Sequence, residues 1–184
     1  PALSIADRLM SQSAKVEWLG TPKGMENRLL ANTEIPLHHI SVSGLKGAGF
    51  FRKVRAPIML LRAFLQSVFV ILRVRPTCVL GMGGFICGPA GIAAKILRKP
   101  LLIHEQNAVA GTANRINYYL ASRVYETFPS SFNTFNDRIL HTGNLVRESM
   151  DNVTSPEVVY KTNELQLRIL ILGGSQGSAF LNNA

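Results

Sequence analysis

Val79-Leu80-Gly81-Met82-Gly83-Gly84-Phe85-Ile86-Cys87-Gly88-Pro89 is the stretch that decides the fold class. An apolar run, Thr77 to Leu80, stops at four glycines within eight residues, and a small-residue helical stretch, Ala90 to Leu97, follows. Glycine lacks the Cβ that blocks close approach, so such a turn lets backbone come near a ligand or a neighbouring segment. The N–H groups that open the following helix suit a phosphate or another anion. A similar turn recurs where Leu167 to Leu172 runs into Gly173-Gly174-Ser175-Gln176-Gly177. Two strand-to-helix glycine turns point to a nucleotide-type or glycosyl-phosphate ligand. The plainer alternative is that each turn serves only helix–sheet packing.

Outward from this turn, strand-like and helical runs alternate. Helices are expected over Pro1 to Ser13, Met25 to Leu30, Arg52 to Val74 (irregular at Pro57), Pro89 to Leu97 and Thr112 to Leu120. Strands are expected over Val16 to Leu19, Leu37 to Ser41, Thr77 to Leu80, Leu101 to His104, Arg123 to Tyr125 and Ile139 to His141. Gly44 to Gly49 reads as a glycine-rich loop. Alternation at this spacing predicts β-α-β crossovers and an α/β fold: a Rossmann-like parallel sheet covered by helices on both faces. From Glu148 to Gln166 the composition turns polar. This divides a domain over 1–148 from a linker over 149–166 and the start of a second α/β domain over 167–184.

The 184 residues are 47% apolar, enough for a sizeable core, and carry a net charge of +9. That charge is uneven. No acidic residue lies between Glu34 and Glu105, whereas Lys46, Arg52, Lys53, Arg55, Arg62, Arg73, Arg75, Lys95, Arg98 and Lys99 all do. Such asymmetry implies an anionic partner: nucleic acid, a phospholipid surface or a phosphorylated substrate. No zinc-finger spacing, RNA-binding aromatic motif or basic zipper accompanies the charge, so nucleic acid is not expected. The two cysteines, Cys78 in an expected buried strand and Cys87 in the glycine loop, read as small packing residues.

The apolar run Ile58 to Val74 invites a membrane test. Its 17 residues rise roughly 25 Å, short of a ~30 Å hydrocarbon core. Arg62 near its centre would cost about 2.5–3.5 kcal/mol on an insertion scale. The run is therefore not expected to span. Either it is a helix buried against the sheet, or its face bearing Ile58, Leu61 and Leu65 rests on an anionic membrane surface, with Lys46, Arg52, Lys53 and Arg55 nearby.

The first glycine turn does not fit the dinucleotide fingerprint G-x-G-x-x-G, because Ile86 stands where the third glycine belongs. The second matches G-x-S-x-G, which admits Ser175 as an α/β-hydrolase nucleophile. It equally suits a phosphate cradle of backbone N–H groups, a hydroxyl and a helix N-terminus. His104-Glu105-Gln106-Asn107 ends a strand with four polar side chains, and open α/β sheets bind ligands at the carboxyl ends of strands. His104 and Glu105 offer acid–base chemistry or serve to order the loop, and Asn107 suits a sugar hydroxyl. His38, His39 and His141 have no metal-ligand spacing, so no metal site is expected.

Leu80-Gly-Met-Gly-Gly-Phe-Ile-Cys-Gly-Pro, His104-Glu-Gln-Asn-Ala-Val-Ala-Gly-Thr-Ala-Asn114, Gly143-Asn-Leu-Val-Arg147 and Gly173-Gly-Ser-Gln-Gly177 together resemble the MurG family. Trp18-Leu19-Gly20-Thr21 and Ile40-Ser-Val-Ser-Gly-Leu45 fit as well. Members of this family are bacterial N-acetylglucosaminyltransferases of the GT-B fold that convert lipid I to lipid II in peptidoglycan synthesis. The resemblance runs through essentially the whole chain, in order. Two positions depart from it: Leu145 stands where the family usually has proline, and Cys87 where it has serine or another small residue.

This resemblance implies that Asn107, Arg147 and Ser175 contact UDP-N-acetylglucosamine, with Asn114 and Gln176 as further binding positions. It implies that Gly83 and Gly84 face the diphosphate of lipid I, and that the basic, apolar region from Lys46 to Arg75 associates with the cytoplasmic face of the inner membrane. No cofactor is implied. Family members carry a Gly-Gly-Thr-Gly-Gly-His loop before the position of Pro1, which holds a candidate base, and most of a nucleotide-binding domain after that of Ala184. The chain is thus expected to be an inactive piece of a longer enzyme. Another GT-B sugar-nucleotide transferase and the Ser175 hydrolase are the alternatives.

Overall fold

The structure, a computed structural model, describes residues 1–44 and 50–145, the first residues of the helix from Phe50 by their backbone alone. The linker over 149–166 and the strand and turn over 167–184 lie outside these residues. The chain divides after Val146, and the unit Pro1–Val146 contains every element described. In chain order these are α1 (Ala2–Ser11), β1 (Trp18–Gly20), α2 (Glu26–Leu29), β2 (Leu37–His39), α3 (Phe50–Val74), β3 (Val79–Gly81), α4 (Cys87–Ile96), β4 (Leu101–Glu105), α5 (Thr112–Tyr118), β5 (Arg123–Glu126) and β6 (Ile139–His141).

All strand pairings are parallel, as alternation of strands and helices requires. The expected single sheet is, however, in two pieces: β1-β2, and β3-β4-β5-β6. No strand among the described residues hydrogen-bonds to both β1 and β3, so each keeps one unpaired edge. The registers are continuous, with Trp18 opposite Leu37, Gly81 opposite Ile103, Glu105 opposite Glu126 and Glu126 opposite His141.

Alternation of side chains along a strand places helices on both faces of the first sheet. Trp18 and Leu37 pack with Leu3, Ala6 and Met10, the apolar stripe of α1. Leu19, pointing the other way, packs with Met59 and Ala63 of α3. In the larger sheet Leu101, Ile103 and Val124 form a core with Ile71 of α3 and Ala93 and Ala94 of α4. Alanine and glycine dominate α4 because it is wedged tightly between α3 and α5, with Ala93 and Ala94 fully buried.

Helices α3 and α4 end without glycine. Arg75 and Arg98 take left-handed φ values of 53°, with Arg75 N–H bonding to the Ile71 carbonyl and Lys99 N–H to that of Ala94. Pro76 and Pro100 then bar continuation. Cys78, expected in a buried strand, is exposed, because β3 begins only at Val79.

The length argument for α3 also needs correction. The helix continues through Pro57, and Val54–Val74 (21 residues) is long and apolar enough to cross a membrane by length and composition. Packing gives a different picture. Ala56, Ala63, Ser67 and Ile71 form one buried row, while Ile58 (74% exposed), Leu61, Leu65 and Phe69 (65% exposed) form an open stripe.

Candidate functional site

The C-terminal ends of the parallel strands bring three segments together: the glycine turn after β3, the loop after β4 and the turn after β5. At the first, Gly81 passes close to the β4 side chain Ile103 and to Cys87, where an added Cβ would lie 3.5 Å from Ile103 Cγ2. Gly83 and Gly84 then adopt φ values of +84° and +78°, a left-handed backbone that glycine tolerates best. The chain reverses there and enters α4 at Cys87, whose thiol donates to the Gly83 carbonyl over 2.7 Å. Burial pushes this thiol up from its ordinary pKa against the effect of the Met82 and Gly83 backbone, so it remains protonated and acts as a clasp on the turn.

In the second segment, Glu105 closes β4 and is 1% exposed. Its Oε1 accepts from Asn107 N–H (3.0 Å) and Asn107 Nδ2 (2.8 Å), and its Oε2 from Gly111 N–H (3.0 Å) and Asn114 Nδ2 (2.9 Å). Burial alone would raise this carboxyl, yet the four donors outweigh it and hold the group below the ordinary glutamate range. Asn114 Nδ2 also reaches the His104 carbonyl, and its side chain lies beneath Gly83. Its Oδ1 is buried without a partner among the described residues.

His104 is also buried, and its Nε2 lies 3.4 Å from the Gly143 carbonyl. A carbonyl only accepts, so Nε2 carries the proton and the buried Nδ1 is bare, with no partner among the described residues. Burial lowers the His104 pKa despite Gly143 and the nearby Glu105 charge, so the ring is neutral at pH 7.

Sequence reasoning missed the third segment. Glu126, at the end of β5, accepts from the Ser130 and Ser131 N–H groups at 2.9 and 3.1 Å. Ser131 Oγ lies 2.9 Å from the Asn107 carbonyl, and Ala110 N–H donates to the Ser131 carbonyl. The turn after β5 thereby braces the loop that carries Asn107. The available signal was a second glutamate ending a short strand, as Glu105 does.

A cavity of about 890 Å³ runs beside these segments. It is lined by the polar residues Glu105, Gln106, Asn107, Thr112 and Asn114, by Gly83 and Gly84, and by the apolar residues Leu60, Leu61, Phe64, Ile92 and Ile96. The structure thus brings together Gly83, Gly84, Asn107 and Asn114. It places Ile58, Leu61 and Leu65 on one exposed stripe of α3, with Arg55 exposed near its start. Lys46, Arg147, Ser175, Gln176 and the side chains of Arg52 and Lys53 lie outside the described residues. Among the described residues no three of His, Cys, Asp and Glu converge as a metal site would require.

This arrangement, a parallel sheet with a glycine turn and polar loops at its carboxyl edge, has relatives. The glycosyltransferase family 28 N-terminal domain matches residues 1–126. The chain belongs to this family. It is 47% identical over 182 residues to a Stutzerimonas stutzeri protein named UDP-N-acetylglucosamine–N-acetylmuramyl-(pentapeptide) pyrophosphoryl-undecaprenol N-acetylglucosamine transferase, covering 99% of this chain and 50% of the relative. A Pseudomonas fluorescens protein of the same name is 46% identical over the same coverage. The crystal structure of Acinetobacter baumannii MurG superposes with a TM-score of 0.70 at 38% identity, covering 83% of this chain and 43% of that one. The chain thus spans about half the length of the curated family 28 relatives it matches, and its fold is that of the family's N-terminal domain.

Proposed function

We propose that this chain forms most of the acceptor-binding half of a GT-B N-acetylglucosaminyltransferase. The enzyme transfers N-acetylglucosamine from UDP-N-acetylglucosamine to the muramyl 4-hydroxyl of lipid I, giving lipid II for peptidoglycan. The observation that carries this reading is the mixed lining of the cavity. Lipid I is an amphiphile with a sugar, a diphosphate and a polyprenyl chain. The polar loop at Asn107, the glycine turn at Gly83 and Gly84, and the apolar side chains of α3 and α4 supply one cavity with a surface for each of these three groups. The names of the relatives point to the same substrates.

In this reading the 4-hydroxyl attacks the anomeric carbon with inversion and expels UDP. The protein must orient both substrates, take up the hydroxyl proton and stabilise the leaving diphosphate. Asn107, with Arg147, Ser175 and Gln176, contacts the donor; Gly83 and Gly84 face the acceptor diphosphate, with Asn114 supporting them. Glu105 is not assigned as base, since both its oxygens already accept two hydrogen bonds. Residues 1–148 form the acceptor domain, 149–166 a linker and 167–184 the start of the donor domain.

The break between β1 and β3 fits the same reading. A parallel strand between their open edges, like the first strand of family members, would join the two sheets at a doubly wound switch point beside the glycine turn. The exposed stripe Ile58, Leu61 and Leu65, with Lys46, Arg52, Lys53 and Arg55 near it, rests on the anionic cytoplasmic face of the inner membrane, as a peripheral contact.

UDP release by the full-length enzyme, dependent on a lipid I analogue, tests the activity. Asn107→Ala and Arg147→Ala should each weaken it. Unchanged kinetics in both variants would remove the donor-site assignment, and no UDP release from the wild type would remove the activity.

A further inference from the structure

We propose that Glu105 is a positioning residue that sets the donor-facing and the acceptor-facing sides of the cleft through one carboxylate. The inference rests on the substrate assignments above and goes beyond them. Each oxygen serves a different side. Oε1 holds the Asn107 backbone and side-chain amide, and Oε2 holds Gly111 N–H and the Asn114 amide that lies beneath Gly83.

On the donor side this fixes polarity. A carboxylate oxygen attracts the Asn107 NH₂ group and repels its Oδ1, so Nδ2 turns inward and Oδ1 is left as the free acceptor. Asn107 then selects a ligand group that donates, a sugar hydroxyl or an amide N–H, rather than a phosphate oxygen. On the acceptor side, the same carboxylate and the His104 carbonyl clamp the Asn114 amide under the glycine turn. Gly83 has no side chain of its own to brace its left-handed backbone, and the Asn114 side chain is what an added Cβ would meet there, 3.6 Å from Nδ2. Loss of the clamp should therefore loosen the turn and the donor loop together.

Steady-state kinetics of the full-length enzyme with Glu105→Gln tests this. Glutamine keeps the shape but turns one acceptor oxygen into an NH₂ that confronts existing donors. KM for UDP-N-acetylglucosamine and for a lipid I analogue should both rise about tenfold, the equivalent of one charge-assisted hydrogen bond, while kcat falls less. Glu105→Asp, which keeps the charge, should recover part of both losses. In the wild-type protein, the Asn107 and Gly111 amide resonances should move together on acidification with one shared midpoint, a readout that does not depend on the variant folding.

A rise in KM for one substrate only would overturn the inference. So would a collapse of kcat with both KM values unchanged, or separate midpoints for the two amides. Asn107→Ala separates the two readings. If it leaves the donor KM unchanged, the donor-contact assignment itself fails. If it raises the donor KM and Glu105→Gln does not, this inference alone fails.

Discussion

Glu105 and Glu126 stand opposite each other in register at the ends of β4 and β5, and each carboxylate is taken up by the loop that follows its own strand. Buried side by side, the two groups order the floor of the site rather than offering a free base. Hydrogen bonds to a fixed strand end add to the packing of Phe132 and the burial of Ala110 in holding these loops.

Truncating Glu126 to alanine removes the acceptor of the Ser130 N–H and leaves the Ser131 N–H only the longer bond to the Phe128 carbonyl (3.3 Å) in a partly buried turn. A loss of about 1 kcal/mol is expected, the cost of leaving one partly buried donor unpaired. Glu126→Gln, which keeps one acceptor oxygen, should lose less. Urea midpoints of the three proteins measure this, and equal midpoints would show that the turn holds without the carboxylate.

His104 makes stability depend on pH. Its folded pKa lies below the ordinary value of about 6.5, so the unfolded chain binds a proton more readily. Stability is then full above that value and falls as pH drops from it toward the lowered folded pKa. Glu105 has the opposite chemistry and the same direction. Its depressed pKa contributes stability above the ordinary glutamate value, lost only on further acidification through the folded pKa. Thermal melts from pH 8 to pH 5 should show a decline that His104→Gln largely removes. A flat wild-type profile would contradict the buried neutral ring.

Gly91 of α4 lies against Asn117 of α5, a fully buried amide whose Nδ2 donates to the Cys87 carbonyl over 2.8 Å. A methyl group at Gly91 would collide with that amide, and Gly91→Ala should cost about 1–3 kcal/mol, as overpacking does. At Gly88, nothing lies within 4 Å of an added Cβ. Gly88→Ala should be neutral or slightly stabilising because alanine favours the helix. Chemical denaturation of the pair distinguishes a packing requirement from a general need for glycine.

Leu61 and Leu65 are open on α3 and support no core. Exchanging both for glutamate should leave stability within about 0.5 kcal/mol of the wild type, as for surface sites generally. It should weaken co-sedimentation with vesicles containing phosphatidylglycerol at least tenfold, since each buried leucine contributes about 1.5–3 kcal/mol. Unchanged vesicle binding would assign the stripe to another purpose.

Much of the fold could be read from short-range patterns. The run into Gly81 and the small residues after it announce strand, turn and helix, because glycine conformation and side-chain size act within a few residues. Strand ends drifted by a residue or two: β3 begins at Val79 rather than Thr77, and β4 includes Glu105. Cys78 was misplaced for the same reason, an apolar run continuing past the hydrogen-bonded ladder. Asn107 and Asn114 could be picked out by residue type and by resemblance, but not the bonds they make.

Residue order along the chain was therefore enough to establish an α/β fold, with a glycine turn and a polar loop at the carboxyl ends of its strands between Gly81 and Asn107, and the family to which it belongs. Which groups meet at that edge was settled by packing. Glu105 and Glu126 become neighbours because β4 and β5 pair in one register, and Asn114 comes under Gly83 because α5 packs against α4. The same packing divides α3 into a buried row and an open stripe, although its composition alone suits a helix that crosses a membrane. A carboxylate's role depends on the donors within about 3 Å of it, and those donors lie on segments that only the folded chain brings together.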